Sequence, residues 1–316
     1  MRNLIRSSLS SFVLAFLILL STAPASAAVV FSNMGGSTAP VDFAVDGILI
    51  VGRAVGFTVP AGPAYRFNSA TLSLGRVAGS LPASATVYLR SDSGAAPGAV
   101  IANLGTVSPS TYGFASYTVT SASGIALAGG ATYWLTVEGA VPSAGNVRME
   151  RTTTSFSGVF TLAGRKQQTS VSAWANPVLP GNFKISLDAD APVAGTSITR
   201  ADSSPTNAAS VSWNVALGGN VAGMTASNFA LIPGGSVSGA LITGITGSGA
   251  NYVVTASTGT GDGTLGLNLA NDTNLLPGIA AALPFTGEVY TIDKTGLTAA
   301  ITSTASDPTN LSPIPM

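Results

Sequence analysis

Short bursts of alternating apolar and polar residues run along the chain and predict β-strands. This alternation indicates strands because successive side chains of a strand point to opposite faces of its sheet. In the first half, the predicted strands are 70–74, 85–89, 117–119, 133–137 and 183–187. Turn-forming residues, such as Ser91 to Gly94 and Pro97-Gly98, lie between them. Many short strands without an amphipathic helix are typical of a β-sandwich or jelly roll.

The second half of the chain carries the same alternation. In the predicted strand 210–215, Val211, Trp213 and Val215 share one face, so we expect Trp213 to lie in a core. Further strands are predicted at 251–255, 264–269 and 289–292. The glycine-rich segment 258–263 predicts a turn between two of them, with Asp262 as a turn former.

An internal repeat divides this second half into units. Two short motifs recur with a constant offset of 103 residues: Ile198-Thr199 with Ile301-Thr302, and Pro205-Thr206-Asn207 with Pro308-Thr309-Asn310. Asp190 maps onto Asp293 at the same offset. This period is close to the length of an immunoglobulin-like (Ig-like) sandwich, about 100 residues. We therefore predict an all-β fold, with an N-terminal jelly-roll-like β-sandwich followed by an Ig-like β-sandwich.

Together with the N-terminal segment described in the next paragraph, these patterns divide the chain into four segments. We predict a signal peptide over 1–27, a β-sandwich over 28–189, an Ig-like domain over 190–295, and the incomplete start of a second Ig-like repeat over 296–316. About 20 residues supply one or two strands and never a closed core. Two interpretations of this tail stay open: a piece of a longer repeat protein, or a genuine short tail.

The N-terminus predicts export. Arg2 and Arg6 precede an unbroken apolar run at 12–20, and small residues at 25–27 supply a cleavage site after Ala27. The apolar run is too short to span a bilayer, and an uncleaved anchor is the alternative interpretation. Beyond it, no apolar stretch reaches the roughly 18 residues of a transmembrane helix, so we predict no membrane span in the mature chain.

Composition narrows the function classes. Without Arg2 and Arg6, 11 of the 13 basic residues remain against 13 acidic ones, which argues against nucleic acid as a partner. The chain has no cysteine and no histidine, so disulfides, thiolate chemistry and the commonest general base are excluded. Only 8% of residues are charged, but the 46% apolar content argues against disorder.

Sequence motifs in the first predicted domain carry a family resemblance. They are the segment 87–104 (VYLRSDSGAAPGAVIANL), 124–127 (GIAL) and 132–135 (TYWL). With them, residues 29–188 resemble the choice-of-anchor family of bacterial exported domains, nearest to its R type. The resemblance implies an exported protein of the kind that varied C-terminal anchors hold to the cell.

A second resemblance covers residues 191–295. Its motifs are 204–207 (SPTN), 227–229 (SNF), 261–265 (GDGTL) and 290–294 (YTIDK). They are similar to bacterial Ig-like repeats of large surface and adhesin-like proteins. The loop after Val215 departs from the usual acidic and proline-containing pattern and reads Ala-Leu-Gly-Gly. The resemblance therefore implies a surface role without assigning a function to that loop.

Catalysis has little support in the sequence. Glu138 and Glu150 are expected on separate strands as solvated carboxylates, and Lys166 follows Arg165 in an expected loop. We predict no enzyme and no cofactor, with calcium as the one metal to consider.

Calcium prefers several oxygen ligands. Its weak candidate ligands lie at the two junctions: Asp188 and Asp190 at the first and Asp293 at the second.

Sugar binding is the other candidate activity. Trp134 and Tyr88 both fall on the polar phase of their strands, and an exposed aromatic ring can stack on a sugar. A structural tryptophan covered by loops is the alternative for Trp134.

Two functions therefore stay open. The first is a non-catalytic exported cell-surface or extracellular protein of structural or adhesion type, whose Ig-like repeat acts as a stalk. Its partner would be a surface or matrix ligand, either a glycan or a protein. The alternative is a carbohydrate-binding module of an exported system.

Overall fold

The computed structural model describes residues 28–35, 43–45, 51–76, 84–110, 112–139, 147–168, 173–177 and 181–295. These residues form strands and one short 3-10 helix, with no α-helix among them, which confirms the predicted all-β class. The predicted signal peptide 1–27 and tail 296–316 lie outside the described residues. The first strands are β1 (Ala28–Ser32), β2 (Phe43–Val45), β3 (Gly52–Thr58), β4 (Tyr65–Arg76), β5 (Ala85–Asp92), β6 (Pro97–Val107), β7 (Ala115–Leu127), β8 (Thr132–Gly139), β9 (Val147–Met149), β10 (Arg151–Thr152), β11 (Thr161–Gln168), β12 (Trp174–Ala175), β13 (Asn182–Phe183) and β14 (Ile185–Asp190).

These fourteen strands build two large antiparallel sheets and one short pair. One sheet has the order β1-β14-β4-β9-β2, with β7 also paired to β4, and is called the β4 sheet below. The other has the order β12-β11-β3-β8-β5-β6 and is called the β8 sheet. The short strands β10 and β13 pair with each other. Most neighbours in these sheets are far apart in sequence, as in the Phe31 to Leu187 pairing of β1 with β14.

The β4 and β8 sheets pack face to face. Leu72 and Leu187 of the β4 sheet share one buried apolar cluster with Val55 and Leu135 of the β8 sheet. The alternation seen in the sequence places every second side chain in this cluster, because the buried faces of both sheets point inward. The first part of the chain is therefore a β-sandwich.

The second part forms a smaller sandwich. Its strands are β15 (Thr196–Arg200), β16 (Ser210–Val221), β17 (Phe229–Gly235), β18 (Leu241–Ser257), β19 (Gly263–Leu269) and β20 (Phe285–Ile292), with a 3-10 turn at Ala226–Asn228. They form two three-stranded sheets, β15-β16-β18 and β17-β19-β20. Trp213 and Val254 of the first sheet pack with Leu265 and Tyr290 of the second. Trp213 is fully buried, which confirms its predicted core position.

The structure differs from the local predictions at several points. Arg165 and Lys166, expected in a loop, lie on β11. Pro97 and Gly98, expected as a turn, begin β6. Strand β3 was absent from the predicted strands because its residues facing away from the core are small rather than polar: Gly52, Ala54 and Gly56.

The two sandwiches meet through the short segment between β14 and β15. Val193, at its centre, is buried in the second apolar cluster. Its N–H donates to the carbonyl of Gly278, and its own carbonyl accepts from Ala280, both at 2.8 Å. The N–H of Gly278 in turn donates to Ala64 of the first sandwich at 2.9 Å. The domain boundaries near 190 and 295 stay predictions.

Among the described residues, no helix has the length and apolarity needed to cross a membrane.

Candidate functional site

The face of the β8 sheet that points away from the core carries both predicted sugar-stacking residues. Strand pairing places Tyr88 of β5 opposite Thr136 of β8, and Arg90 opposite Trp134. Gly56 lies opposite Trp134 from the other side, on β3. Because directly paired residues of an antiparallel sheet share a face, these side chains form one outer surface. The sequence therefore predicted their orientation correctly.

Trp134 is not available to a ligand, which agrees with the interpretation as a covered structural tryptophan and not with a sugar platform. Its side chain is only 1% exposed. The ring lies flat over Gly56, with three ring atoms 3.0 Å from the point where a Cβ on that glycine would lie, and it also reaches Gly164 of β11. Its indole Nε1 donates to Oδ1 of Asp92 at 2.7 Å. Two glycines from neighbouring strands thus provide the recess that buries the ring.

Tyr88 keeps a partly exposed ring and belongs to a charged group. The Arg90 guanidinium carbon lies 5.4 Å from the centre of the Tyr88 ring. Arg90 donates to both carboxylate oxygens of Glu138, at 2.8 and 3.0 Å. Thr136 also donates to Glu138 at 2.6 Å. Both partners of this ion pair are only about one-fifth exposed, so Glu138 is a fixed carboxylate rather than the freely solvated one expected from the sequence.

A third aromatic residue on this face, Trp174, was not among the sequence candidates. Trp174 lies on β12, and its Cη2 atom comes within 2.9 Å of the point where a Cβ on Gly52 would lie. Oε1 of Gln168 and Cγ of Glu138 approach the same point, at 3.3 and 3.4 Å. Strand β12 is only two residues long, so alternation could not have revealed it.

The calcium candidates do not come together. Oδ2 of Asp188 accepts a hydrogen bond from Ser69 at 3.0 Å. Asp190 lies 3.8 Å from the Arg66 guanidinium. Asp293 is at the end of the second sandwich, where its Oδ1 accepts from the N–H of Thr295. The described part of the chain contains no group of three His, Cys, Asp or Glu side chains that could hold a metal ion.

Glu150 forms a buried ion pair instead of the exposed carboxylate that we expected. Its Oε1 lies 3.1 Å from Nζ of Lys184, and both side chains are about 10% exposed. The Ser73 hydroxyl donates to the other Glu150 oxygen. Backbone hydrogen bonds link the same three residues in a ring, from Ser73 to Lys184, Lys184 to Glu150 and Glu150 to Ser73. Glu138 lies on the other sheet, so the two glutamates form no pair across a cleft.

The motifs of the Ig-like resemblance converge where the chain leaves the second sandwich. The Asp262 carboxylate accepts hydrogen bonds from the Lys294 N–H and from the Thr295 hydroxyl. These bonds hold the pKa of Asp262 below its ordinary value, with the Thr295 hydroxyl as the larger cause. Nζ of Lys294 donates to the carbonyls of Asn207 and Ala208. The 204–207, 261–265 and 290–294 motifs therefore act together as a clamp on residues 294 and 295.

The 227–229 motif has a structural role of a similar kind. Asn228 is completely buried, and its Nδ2 donates to the carbonyl oxygens of Asn271 and Thr273 at 3.3 and 3.0 Å. Its Oδ1 accepts from the Thr225 N–H at 2.9 Å. The motif thus fixes the loop that joins β19 to β20.

Comparisons with known proteins add no relative. The chain matches no family model, no curated protein and no solved structure. The resemblances to choice-of-anchor domains and to bacterial Ig-like repeats therefore stay predictions.

Proposed function

We propose that the protein is a non-catalytic, exported cell-surface or extracellular spacer, in which the second sandwich serves as a stalk unit and the first is presented outward. The observation that carries the proposal is the bonded connection between the two sandwiches. A spacer must pass from one unit to the next without a loose linker, since a loose linker would leave the units free to reorient.

The connection has two parts. Only five residues separate β14 from β15, and Val193 among them is inserted into the core of the second sandwich. Gly278 then bridges the units, because its carbonyl accepts from Val193 and its N–H donates to Ala64. Pro63 packs on the same glycine, 2.8 Å from the point where its Cβ would lie.

The clamp on residues 294 and 295 supports the same function at the other end. Asp262 and Lys294 fix the direction in which the chain leaves the second sandwich. A following unit would then also begin from a defined position. The predicted signal peptide and the 103-residue repeat fit an exported string of such units.

Small-angle X-ray scattering of the mature protein tests the spacer function. We expect a narrow distribution of maximum dimensions, and a broader one after insertion of Gly-Ser-Gly-Ser between Pro192 and Val193. The same insertion in the exposed turn between Gly94 and Ala95 is the control and should leave the distribution unchanged. A wild-type distribution as broad as that of the junction insertion would exclude a fixed spacer.

Export is tested separately. The mature protein should be recovered outside the cytoplasm with an N-terminus at Ala28 or within one or two residues of it. A cytoplasmic product that retains Met1 would exclude the exported location.

A further inference from the structure

The outer face of the β8 sheet brings an indole ring, an amide and the side chain of a glutamate to one point. Side chains of Trp174, Gln168 and Glu138 all approach within 3.5 Å of the place where a Cβ on Gly52 would lie. They come from three strands, since Gly52 pairs with Gln168 of β11 on one side and with Glu138 of β8 on the other. Trp174 remains partly exposed at the sheet edge. The missing side chain at Gly52 is what allows this convergence.

The polar groups beside the indole are held in place before any ligand arrives. Glu138 accepts two hydrogen bonds from Arg90 and one from Thr136. Each carboxylate oxygen has two acceptor sites, so Glu138 keeps acceptor capacity toward solvent. A fixed side chain loses little conformational entropy on binding, which favours recognition of a weakly bound ligand.

A second aromatic ring lies further along the same face. Tyr88 is on β5, two strands from Gly52, and is partly exposed beside Arg90. Neighbouring strands are about 4.8 Å apart, so the Tyr88 backbone and the point above Gly52 are separated by roughly 10 Å or slightly more. Glu138, on the strand between β3 and β5, lies between the two aromatic residues, and the Arg90 side chain reaches it from the strand of Tyr88. The face therefore alternates an aromatic ring, a set of polar groups and a second aromatic ring.

We propose that this face, formed by Trp174, Gln168, Glu138, Arg90 and Tyr88, binds a neutral oligosaccharide. The C–H faces of a sugar ring stack on aromatic side chains, while its hydroxyl groups exchange hydrogen bonds with carboxylate, amide and guanidinium groups. Two aromatic residues on either side of polar groups suit a chain of several sugar units. The site is separate from the spacer function and does not depend on it.

Charge on this face favours a neutral sugar over an acidic one. The Arg90 charge is compensated by Glu138 at hydrogen-bond distance. Lys166 also faces outward, and its Nζ donates to Oδ1 of Asn176 at 2.8 Å. The Arg90–Glu138 pair therefore offers a polyanion no net positive charge to bind.

Native affinity electrophoresis of the mature protein tests the proposal. The gels contain xylan, mixed-linkage β-glucan or galactomannan as neutral polymers, and hyaluronan as an acidic one. We expect at least one neutral polymer to retard the protein, with the retardation insensitive to salt. Trp174→Ala should weaken the apparent affinity at least tenfold, and Tyr88→Ala several-fold. Tyr112→Ala, which removes an exposed tyrosine elsewhere on the chain, is the matched control and should change nothing.

Circular dichroism and the melting temperature establish that each variant is folded. If Trp174→Ala fails to fold, Trp174→Phe and Tyr88→Ala decide the question, because the first keeps a ring over much of the same surface and the second leaves Trp174 in place. The proposal is overturned if no neutral polymer retards the wild type, or if retardation survives both substitutions. Retardation by hyaluronan alone, lost at high salt, would also overturn it. None of these results would change the scattering expected of a spacer.

Discussion

The indole Nε1 of Trp213 donates a hydrogen bond of 2.8 Å to the backbone carbonyl of Glu288, across the two sheets of the second sandwich. The Trp213 ring also meets the Tyr290 ring edge-on, with centres 5.0 Å apart. The Tyr290 hydroxyl donates to the carbonyl of Ser212 and accepts from the N–H of Asp202. These two side chains therefore connect strands of both sheets through packing and hydrogen bonds together.

Trp213→Ala should destabilise the second sandwich alone, by about 3–5 kcal/mol, because it removes a large buried ring from that cluster. The remaining tryptophans, Trp134 and Trp174, both lie in the first sandwich. In urea, circular dichroism should then show an early transition that tryptophan fluorescence does not follow. Tyr290→Phe removes only the hydroxyl and should cost about 1–3 kcal/mol. Coincident transitions by both probes would contradict independent unfolding of the two cores.

Lys184→Ala should strongly destabilise the first sandwich. It leaves the Glu150 carboxylate buried without its cation, and breaking a buried ion pair from one side costs about 3–5 kcal/mol. The free energy of unfolding from urea denaturation measures the effect.

The exposed pair of Arg200 and Glu288 provides the matched control for Lys184→Ala. These side chains are 37% and 50% exposed, so Arg200→Ala should cost at most about 1 kcal/mol. Equal losses for the two substitutions would show that the Lys184 pair is solvated in solution.

Gly56→Ala should destabilise the first sandwich by about 1–3 kcal/mol through overpacking. The added Cβ would lie 3.0 Å from three atoms of the Trp134 ring, which is held by its bond to Asp92 and cannot easily move away. Gly244→Ala is the control, because a Cβ there meets nothing within 4 Å. The melting temperatures of both variants give the comparison, and an unchanged value for Gly56→Ala would mean that the ring is mobile.

Alternation in the sequence identified strands whose two faces differ, and strand β11 shows why it missed some of the others. Strand β16 was predicted because Val211, Trp213 and Val215 alternate with polar residues. Strand β11 was missed because Arg165 and Gln167 occupy positions on its inner face, opposite Val55 and Arg53. Period-two hydrophobicity cannot reveal a strand whose buried positions are polar.

The candidate sites depended on contacts that sequence order does not contain. The orientation of Trp134 followed from the alternation of β8, but its burial follows from Gly56 and Gly164 on two other strands. Likewise, the pairing of Glu150 with Lys184 requires a fold that brings the ends of distant strands together. Sequence reasoning assigned both glutamates of the first sandwich to solvent because carboxylates are rarely buried without a partner.

The Asp262 clamp has a pH dependence that follows from its hydrogen bonds. The Thr295 hydroxyl and the Lys294 N–H both donate to the carboxylate and lower its pKa from the ordinary value of 3.8. Because the pKa is lower in the folded state, the clamp contributes its stabilisation above the ordinary carboxyl pKa. This contribution is lost as the pH falls through the folded-state value.

Thr295→Val should raise the pKa of Asp262 toward its ordinary value, because it removes the largest of the hydrogen-bond contributions while keeping the shape of the side chain. Titration of the Asp262 carboxyl carbon by NMR measures the change directly. Thr243→Val, which removes a hydroxyl that donates to the Thr255 carbonyl instead, should leave the titration as it is in the wild type. In the wild type, amide hydrogen exchange at Lys294 should accelerate when the pH falls below the pKa of Asp262 in the folded protein, after correction for the intrinsic pH dependence of exchange. If Thr295→Val titrates as the wild type does, the Thr295 hydroxyl does not hold the carboxylate in solution, and the clamp then depends on its other hydrogen bonds, including those of Lys294.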